Sequence, residues 1–546
     1  MATPESEIAS SKKRLRIACC APPFSGHLNP IMSLIEGLVA KSKDETTCQH
    51  EICLVTLNYF AKKYESRCRD LGVELVGISL GEGFESEEAL RDRNQGGGPR
   101  VFIELADRGK IALEEELNKF RPDIIVSDFC DHASQEYAVA RNIPIVINWP
   151  GPFATLKEIL RPVMNTTDED WYFSYGGLFV SYTKLTVFGA IACFNAMGFG
   201  TFSSRIRDAV NCGNSVVLVN SFWGFESPKY LFHPNIVPVG SVEKSLPASP
   251  DFSISHPDLH VFLKSARDDN RKILLVTMGT MVQMEEWLVK LLWKAFEILA
   301  KDHSVSIVWS LKKERQEFLS DDQLGHHAFH FSTWLPQPAL LGSDLVDGVL
   351  THCGWNGTSE CVAGGKPVVV LPFFLDQMTN AGLLIQAGCA ISIAPIPAFN
   401  ADSTGRSSYV PPTNEDLGYC TLKDLRERFR RFQLSKPTVK GIVEGCARLL
   451  SDPCFLKAAQ KLKAIGSGPG LGQAFACDMI EHAGYHGLTH LTDSGRTKRE
   501  DDESGSPRPA THANRLTGHR PLVFSVMGFA VVVWAGTAIA KQIRSR

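Results

Sequence analysis

A glycine-containing turn between an apolar run and a helical pattern has the composition of a phosphate-binding site. The apolar residues of 346–351 end at His352, and the chain continues through Cys-Gly-Trp-Asn-Gly into a helical pattern. The first N–H groups of a helix have no intrahelical partner and carry a partial positive charge, so they attract anions. We therefore predict a strand, a phosphate-binding turn and the start of a helix here.

A pair of polar residues follows the next apolar run. Residues 367–373 are apolar and predict a strand, after which Asp376 and Gln377 come close together. In an open α/β sheet, ligands bind outside the carboxyl ends of the strands. The turn at His352 and this polar pair are thus expected at two neighbouring strand ends.

Apolar runs of strand length alternate with helical patterns along most of the chain, which favours βαβ units and parallel sheets. The predicted strands form two series, with a stretch of little periodicity over 244–260 between them. The first series is 16–21, 52–57, 73–78, 124–127, 143–147 and 216–220, and the second is 273–277, 305–310, 329–331, 348–351, 367–371 and 390–393. Further helices are predicted at 414–432, 439–450, 453–464 and near 473–483.

Composition excludes several function classes. The chain has 546 residues, enough for two or more domains, and its net charge of −3 argues against nucleic acid as a partner. The 15 cysteines are scattered without a Cys-x-x-Cys pattern, which favours a reduced setting over a disulfide framework. Neither a Gly-x-Gly-x-x-Gly sequence after a first strand nor a Walker A sequence occurs, which argues against nicotinamide, flavin and ATP chemistry.

The stretch from Trp334 to Gln377 resembles the donor-binding signature of family 1 UDP-dependent glycosyltransferases. The plant form of that signature has the same length, and its key residue types fall in register without a gap. Gly357 is a departure, because plant members usually carry serine there, and the run 376–382 also resembles the animal form. The positions in register are Trp334, Gln337, His352, Trp355, Asn356, Glu360, Asp376 and Gln377.

The resemblance implies an α/β fold of the GT-B architecture, in which two Rossmann-like domains face a cleft. The donor is expected in the C-terminal half and the acceptor in the N-terminal half. The predicted organisation is an N-terminal domain at 14–240, a linker at 241–268, a C-terminal domain at 269–465, a crossover helix at 466–486, a flexible tether at 487–520 and a transmembrane anchor at 521–540.

The resemblance also implies roles for residues of the donor site. No metal and no cofactor is expected besides the UDP-sugar co-substrate, with UDP-glucose as the first choice, since the helix N-terminus and side chains would neutralise the diphosphate. The implied contacts are Trp334 on uracil, Gln337 at the base or ribose, Glu360 at the ribose hydroxyls, Thr280, His352, Asn356 and the Gly357 backbone at the diphosphate, and Trp355, Asp376 and Gln377 at the sugar.

His27 is the predicted catalytic base of this transfer. It lies in the loop after the first strand, before a helix that Asn29 and Pro30 are expected to open. A neutral histidine can accept the proton of an attacking hydroxyl near pH 7, and a carboxylate behind it would stabilise the imidazolium. Asp128, at a strand end, is the expected partner, with Asp131 as the alternative.

The acceptor is not identified by the sequence. Residues 171–202 are rich in aromatic side chains, and the corresponding part of the family lines the acceptor pocket. Ordinary helix packing and a helix lying on a membrane monolayer are alternatives. A lipophilic hydroxylated acceptor, such as a sterol, a fatty acid derivative or a phenol, is expected.

The C-terminus predicts a single membrane anchor. Residues 522–540 contain no charge and are flanked by basic residues, and as a helix they would span roughly 28 Å, close to the bilayer core. The basic tail alone favours a luminal body. Because no signal peptide precedes the body, we expect the body to face the cytosol, with the endoplasmic reticulum as the membrane.

The predicted function is therefore inverting transfer of a hexose to a lipophilic acceptor, giving a β-glycoside. A glycolipid-forming or N-acetylglucosaminyl transferase of the same fold is an alternative. A membrane-anchored UDP-sugar-binding protein without turnover is a non-enzyme alternative, against which the presence of both His27 and Asp128 argues.

Overall fold

The computed structural model describes most of the chain between residues 14 and 491. The described ranges are 14–44, 50–81, 83–84, 86, 89–90, 99–160, 199–226, 233–243, 252–279, 282, 284–373, 376–393, 399–401, 407–409 and 437–491. Several predictions fall outside them: Thr280, most of the aromatic stretch 171–202, the helix at 414–432, and the tether and anchor beyond residue 491.

The first half of the chain forms a parallel sheet covered by helices. Its strands are β1 (Arg16–Cys20), β2 (Glu51–Leu57), β3 (Glu74–Ile78), β4 (Ile124–Asp128), β5 (Ile145–Trp149), β6 (Ser215–Val219) and β7 (Ile236–Pro238), in the order β3-β2-β1-β4-β5-β6-β7. The helices are α1 (Ser25–Asp44), α2 (Asn58–Leu71), α3 (Arg100–Phe120), α4 (His132–Arg141), α5 (Phe153–Leu160) and α6 (Phe199–Val210).

The second half forms another parallel sheet. Its strands are β8 (Lys272–Thr277), β9 (Val305–Ser310), β10 (Phe329–Ser332), β11 (Gly348–Thr351), β12 (Val368–Val370) and β13 (Ala390–Ser392), in the order β10-β9-β8-β11-β12-β13. The helices are α7 (Pro257–Asp268), α8 (Glu286–Asp302), α9 (Lys313–Gln316), α10 (Asp321–Leu324), α11 (Gln337–Gly342), α12 (Trp355–Gly364), α13 (Gln377–Gln386), α14 (Val439–Ser451) and α15 (Pro453–Gly466). A short antiparallel pair, β14 (Phe399–Ala401) and β15 (Ser407–Tyr409), follows.

Both sheets are buried on two faces, which explains their continuous apolar strands. All five residues of β4 and of β6 are buried, as are the four of β11. Helices on both sides of a parallel sheet exclude water from both faces, so Val, Ile and Leu are favoured at successive positions. The predicted strands are confirmed, with ends that differ by at most about two residues from those in the structure.

The strand order places a topological switch point at the centre of each sheet. In the first sheet the chain moves outward from β1 to β3 and then returns to pair β4 with β1. In the second sheet the same return pairs β11 with β8. Because crossovers leave in opposite directions at a switch point, a crevice opens there outside the strand ends, and ligands bind in it.

The last described helix, α16 (Gln473–His486), crosses back to the first sheet. Its buried residues Ala476, Cys477 and Ile480 join the same apolar core as α1 and β1. Charged residues also link α16 to α1. Lys41 Nζ donates hydrogen bonds to Asp478 and to Glu481 Oε2, and His50 Nε2 is hydrogen-bonded to Glu481 Oε1. The predicted helix near 473–483 is thus confirmed.

Three predictions of local structure are corrected. Helix α1 begins at Ser25 rather than after Asn29, because the N–H groups of His27 and Leu28 already donate to the Phe24 carbonyl, and Pro30 lies inside the helix. The predicted linker 241–268 is too long, since α7 buries Leu259 and Leu263 in the second sheet's core. The predicted tether 487–520 begins too early, because Leu488 is fully buried in the core of the first sheet.

Among the described residues, no helix is both long enough and apolar enough to cross a membrane. The predicted anchor at 521–540 lies outside those residues. The cysteines of the described ranges are free thiols, and most of them are buried among apolar side chains.

Candidate active site

His27 and Asp128 meet at the switch point of the first sheet. His27 lies in the first turn of α1, directly after β1, and Asp128 is the last residue of β4, the strand paired with β1. His27 Nδ1 is 2.8 Å from Asp128 Oδ1. The sequence predicted this pairing, and the neighbouring strand ends explain why residues 101 positions apart are in contact.

The pair is arranged for proton transfer. Asp128 is fully buried, while the His27 side chain is 17% exposed. The Cys130 N–H also donates to Asp128 Oδ1, at 2.9 Å, which fixes the carboxylate. Because a carboxylate can only accept, Nδ1 carries the hydrogen, and Nε2 is left to accept a proton from a hydroxyl.

Asp131, the alternative partner, has a different role. Its Oδ1 accepts the N–H of Ser134 at 3.1 Å, so that it caps the N-terminus of α4. Burial raises the pKa of Asp131 to about 6, and hydrogen bonds from Ser134 oppose that shift. Asp128 is therefore the hydrogen-bond partner of His27, and Asp131 is the N-cap of α4.

Aromatic side chains surround the His27 imidazole. The ring centres of Phe24, Phe102 and Phe129 lie 6.0, 5.1 and 5.4 Å from it. Phe202, from the predicted aromatic stretch, packs against both Phe102 and Phe129. Sequence reasoning missed the first three, although Phe24 and Phe129 adjoin His27 and Asp128 in the chain.

The predicted strand, glycine-containing turn and helix are present as β11, residues 352–354 and α12, and phosphate binding by this turn stays a prediction. Gly354 occupies the N-cap position of α12, and Cys353 adopts a positive φ of 65°. A Cβ at Gly279 or at Gly354 would lie 2.6 Å from the His352 imidazole, so only glycine lets the ring lie between these two loops. Burial lowers the pKa of His352 to about 4, which makes it a neutral hydrogen-bonding group.

Gln337 and Glu360 form a polar pair beneath that turn. Gln337 Nε2 donates to Glu360 Oε2 at 2.5 Å, and its Oε1 accepts the Thr277 hydroxyl at 2.7 Å. Glu360 is 9% exposed, and burial raises its pKa to about 7. A buried carboxylate with one oxygen held by an amide can accept hydroxyl donors through its remaining lone pairs.

Glu243 is a second carboxylate at this place, which the sequence did not indicate. Burial, and then the charge of Glu360, raise its pKa to about 8. Glu243 comes from the segment that joins the two sheets, whereas Glu360 belongs to α12. No periodic or spacing signal connects two residues so far apart in the chain.

Asp376 and Gln377 begin α13. Asp376 Oδ2 accepts from Asn380 Nδ2 at 2.7 Å, and the same amide donates to the Cys353 carbonyl at 2.9 Å. Gln377 Oε1 accepts the Phe373 N–H, so this side chain also holds its own loop. Asn380 therefore ties the phosphate turn to the polar pair.

The pKa of Asp376 is also affected by the charge of His27, a residue of the first half of the chain. Burial raises the pKa of Asp376, while the Asn380 hydrogen bond and the charge of His27 oppose that shift. The two residues come from different sheets, and such an interaction requires proximity. His27 and Asp376 therefore lie near each other.

The remaining predicted donor residues differ in exposure. Trp355 is 7% exposed and packs near Phe225, at a ring distance of 6.1 Å, rather than lining an open surface. Asn356 and Gly357 are half-buried in the first turn of α12. Trp334 is 65% exposed, and the ammonium of Lys63, from the first half, lies 5.9 Å from its ring centre.

Residues 201–398 match the family model described as UDP-glucoronosyl and UDP-glucosyl transferase. The chain is 26% identical over 314 residues to a UDP-glycosyltransferase of Talaromyces amestolkiae, covering 50% of this chain and 55% of that protein. It is 26% identical over 400 residues to UDP-glycosyltransferase 73E1 of Stevia rebaudiana, covering 66% and 78%. The first of these matches thus spans about half of its relative.

The fold is shared with solved structures. A UDP-glucosyltransferase from Polygonum tinctorium, capable of glucosylating indoxyl, superposes with a TM-score of 0.57 at 15% identity, over 86% of this chain and 99% of that one. At this identity the likeness concerns the fold, which is that of the GT-B glycosyltransferases. Together with the sequence matches and the turn at His352, it shows that the chain is similar to the UDP-glycosyltransferases, whose family model matches residues 201–398.

Proposed function

We propose that the chain transfers a hexose from a UDP-sugar to a hydroxyl of a lipophilic small molecule, with inversion at the anomeric carbon. The observation that carries this proposal is the His27–Asp128 pair, 2.8 Å apart, facing the Asp376 end of the second sheet. A base and a donor turn on opposite walls of one cleft match the needs of a displacement reaction.

In the proposed reaction, the acceptor hydroxyl attacks the anomeric carbon as its proton passes to His27 Nε2. The new bond joins the acceptor oxygen to that carbon, and the bond to the UDP oxygen breaks. The imidazolium is stabilised by Asp128, while UDP leaves with the electron pair of the broken bond. Attack from the face opposite to UDP turns an α-linked donor into a β-glycoside.

The second sheet would hold the donor. Neutral His352 and the N–H groups that begin α12 would bind the diphosphate, and Glu360 would accept from the ribose hydroxyls. Trp334 has the exposure needed to stack on uracil, and Asp376 has a carboxylate oxygen available for a sugar hydroxyl. Glucose is the first candidate, supported by the family description and by the name of the Polygonum tinctorium protein.

The acceptor would lie beside the aromatic rings around His27. Phe24, Phe102 and Phe129 present apolar surface next to the base, which supports a lipophilic hydroxylated molecule. A turnover screen with UDP-glucose against phenols, sterols and hydroxy fatty acids, analysed by mass spectrometry, would identify the class.

Replacing His27 with Ala tests the function. We expect turnover to fall by about 10²- to 10⁴-fold, the usual contribution of a positioned base. UDP affinity, measured by calorimetry, should be unchanged because His27 lies on the acceptor side of the cleft.

The exposed His303, at the end of α8, supplies a matched control as His303→Ala. Full turnover in His27→Ala would contradict the assignment of the base. Absence of turnover in the wild-type chain with every sugar donor, despite UDP binding, would favour a UDP-sugar-binding protein.

We also propose that residues 521–540 anchor the protein in the endoplasmic reticulum membrane with the body facing the cytosol. The uncharged stretch of 19 residues at 522–540, with its basic flanks, supports this location. A membrane-dissolved acceptor would then reach the cleft without crossing bulk water.

A further inference from the structure

Three histidines lie together at the C-terminal end of α16, outside the catalytic cleft. His482 and His486 are one helical turn apart, and His490 lies in the 3₁₀ turn Thr489–Leu491 that follows the helix. All three side chains are exposed. The spacing of four residues places the first two on one face of the helix.

The distance between two of the imidazoles matches that in a metal site. His482 Nε2 and His490 Nε2 are 3.4 Å apart, which is long for an N–H···N hydrogen bond. Two nitrogens that bind Zn²⁺ at about 2.0–2.1 Å with tetrahedral angles are about 3.3–3.4 Å apart. An ion can therefore bridge these two nitrogens without movement of the backbone.

His486 is available as a third ligand. Its ring centre is 4.9 Å from that of His482, with an angle of 50° between the ring planes. Being exposed, it can adopt another rotamer at small cost. Three imidazoles with one open position form a common zinc coordination set.

We propose that His482, His486 and His490 bind a divalent transition-metal ion of the Zn²⁺ type. The ion would join the turn Thr489–Leu491 to the end of α16. This helix carries Glu481, which holds Lys41 and His50 of the first half, so the metal would stabilise the attachment of the C-terminal segment to the first sheet.

The experiment uses the full-length protein, freed of metal with EDTA, and Zn²⁺ as the probe. Calorimetry should detect an equivalent of Zn²⁺ bound by the wild-type chain that His490→Ala and His482→Gln both lose. Thermal unfolding should show that Zn²⁺ raises the Tm of the wild type and raises it less in both variants.

The matched control is His327→Ala. His326 and His327 are also neighbouring histidines, with ring centres 4.7 Å apart, but their rings are stacked rather than joined through nitrogen atoms. This variant should bind Zn²⁺ as the wild type does. A loss in the control equal to that in His490→Ala would overturn the proposal, since any histidine pair would then suffice.

Among the described residues, the group of three ligands whose atoms already lie within 4.8 Å of one another is His27, Asp128 and Cys130, so Zn²⁺ could also bind there. His490→Ala leaves that group intact, so any ion bound there contributes equally to the wild type and the variant. Equal Zn²⁺ stoichiometry and affinity in the wild type and in either His490→Ala or His482→Gln would overturn the proposal.

Discussion

Asp128 and Asp131 are only three positions apart, but their carboxylates have different hydrogen-bond partners and different roles. Asp128 accepts from His27 and from the Cys130 N–H at the end of β4, whereas Asp131 caps α4. Asp131 directly precedes α4, so its carboxylate reaches the Ser134 N–H in the first turn of that helix, whereas Asp128 accepts the Cys130 N–H before the helix begins. Asp128 is thereby left free to orient the imidazole.

At the residue scale, Gly357→Ser should tighten UDP binding. A Cβ at this position would meet Gln337 Nε2 at 3.7 Å and Thr351 Oγ1 at 3.8 Å, which are ordinary contacts. A serine hydroxyl in the first turn of α12 would add one hydrogen bond to the diphosphate. We expect an affinity gain of about threefold to tenfold, corresponding to about 1 kcal/mol, measured by calorimetry with UDP.

Gly357→Ala is the matched control for that substitution. It supplies the same Cβ and the same gain in helix propensity, but no hydroxyl. Equal UDP affinity in the serine and alanine variants would show that position 357 does not contact the phosphate.

UDP binding should depend on pH through Glu360. Burial raises the pKa of this carboxyl to about 7, and the ionised form is the better acceptor for ribose hydroxyls. Below pH 7 the Glu360 carboxyl must lose its proton before it can accept from the ribose, so the affinity for UDP rises with pH. Between pH 6 and pH 8 we expect a change of about tenfold, by linkage to one group of this pKa.

Calorimetric titrations of Glu360→Gln provide the reference for that prediction. The glutamine side chain keeps the shape of Glu360 and its place beside Gln337, but it cannot titrate. The pH dependence of UDP binding by this variant therefore reports only UDP itself and other groups. The same pH dependence in the wild type and the variant would exclude Glu360 from the linkage.

At the scale of elements, α16 fastens the C-terminal part of the chain to the first sheet. Glu481 is 7% exposed and accepts from Lys41 and His50, so its charge is balanced within the interface between α16 and α1. Burial alone would raise the Glu481 pKa, but hydrogen bonds from His50 and Lys41 lower it overall. Its stabilisation is therefore present above the unfolded pKa and is lost as the pH falls through the folded value.

Glu481→Gln should lower the free energy of unfolding by about 1–3 kcal/mol at pH 7, because a buried ion pair loses one partner. Urea denaturation measures the change. Asp478→Asn is the control, since the Asp478 side chain is 58% exposed and its ion pair with Lys41 should contribute less than about 1 kcal/mol. Equal effects of the two substitutions would contradict the buried role of Glu481.

At the scale of the whole molecule, the same topology is used twice. Each sheet has its switch point between its first and fourth strands in chain order, β1 and β4 or β8 and β11. One switch point carries His27 and Asp128, and the other carries the glycine-containing turn at His352. The charge of His27 acts on Asp376, so residues from the two halves of the chain lie near each other here.

Removing residues 492–546 should separate membrane attachment from turnover. The full-length protein is expected to sediment with membranes, and the shortened chain to stay in the supernatant with unchanged kcat. A length-matched control replaces Val531, Val532 and Val533 with Asp, which places three charges in the predicted span. Sedimentation of the shortened chain with membranes would contradict an anchor in this segment.

Much of the site could be predicted from the sequence because its signals are local. A strand followed by a glycine-containing turn and a helix defines the region around His352, and the ungapped register from Trp334 to Gln377 contains the residues to which the resemblance assigns donor binding. The alternation of strands and helices determined two parallel sheets. His27 and Asp128 were also recognisable, since His27 lies in the segment after the first strand and Asp128 ends a strand.

Only the tertiary structure decided which residues meet across the chain. It brought Glu243 close to Glu360, the charge of His27 to Asp376, and Lys63 over Trp334. It also buried Trp355 and joined α16 to the first sheet. Such contacts depend on strand order and helix packing over hundreds of residues, whereas sequence periodicity reports only which face of one element is apolar.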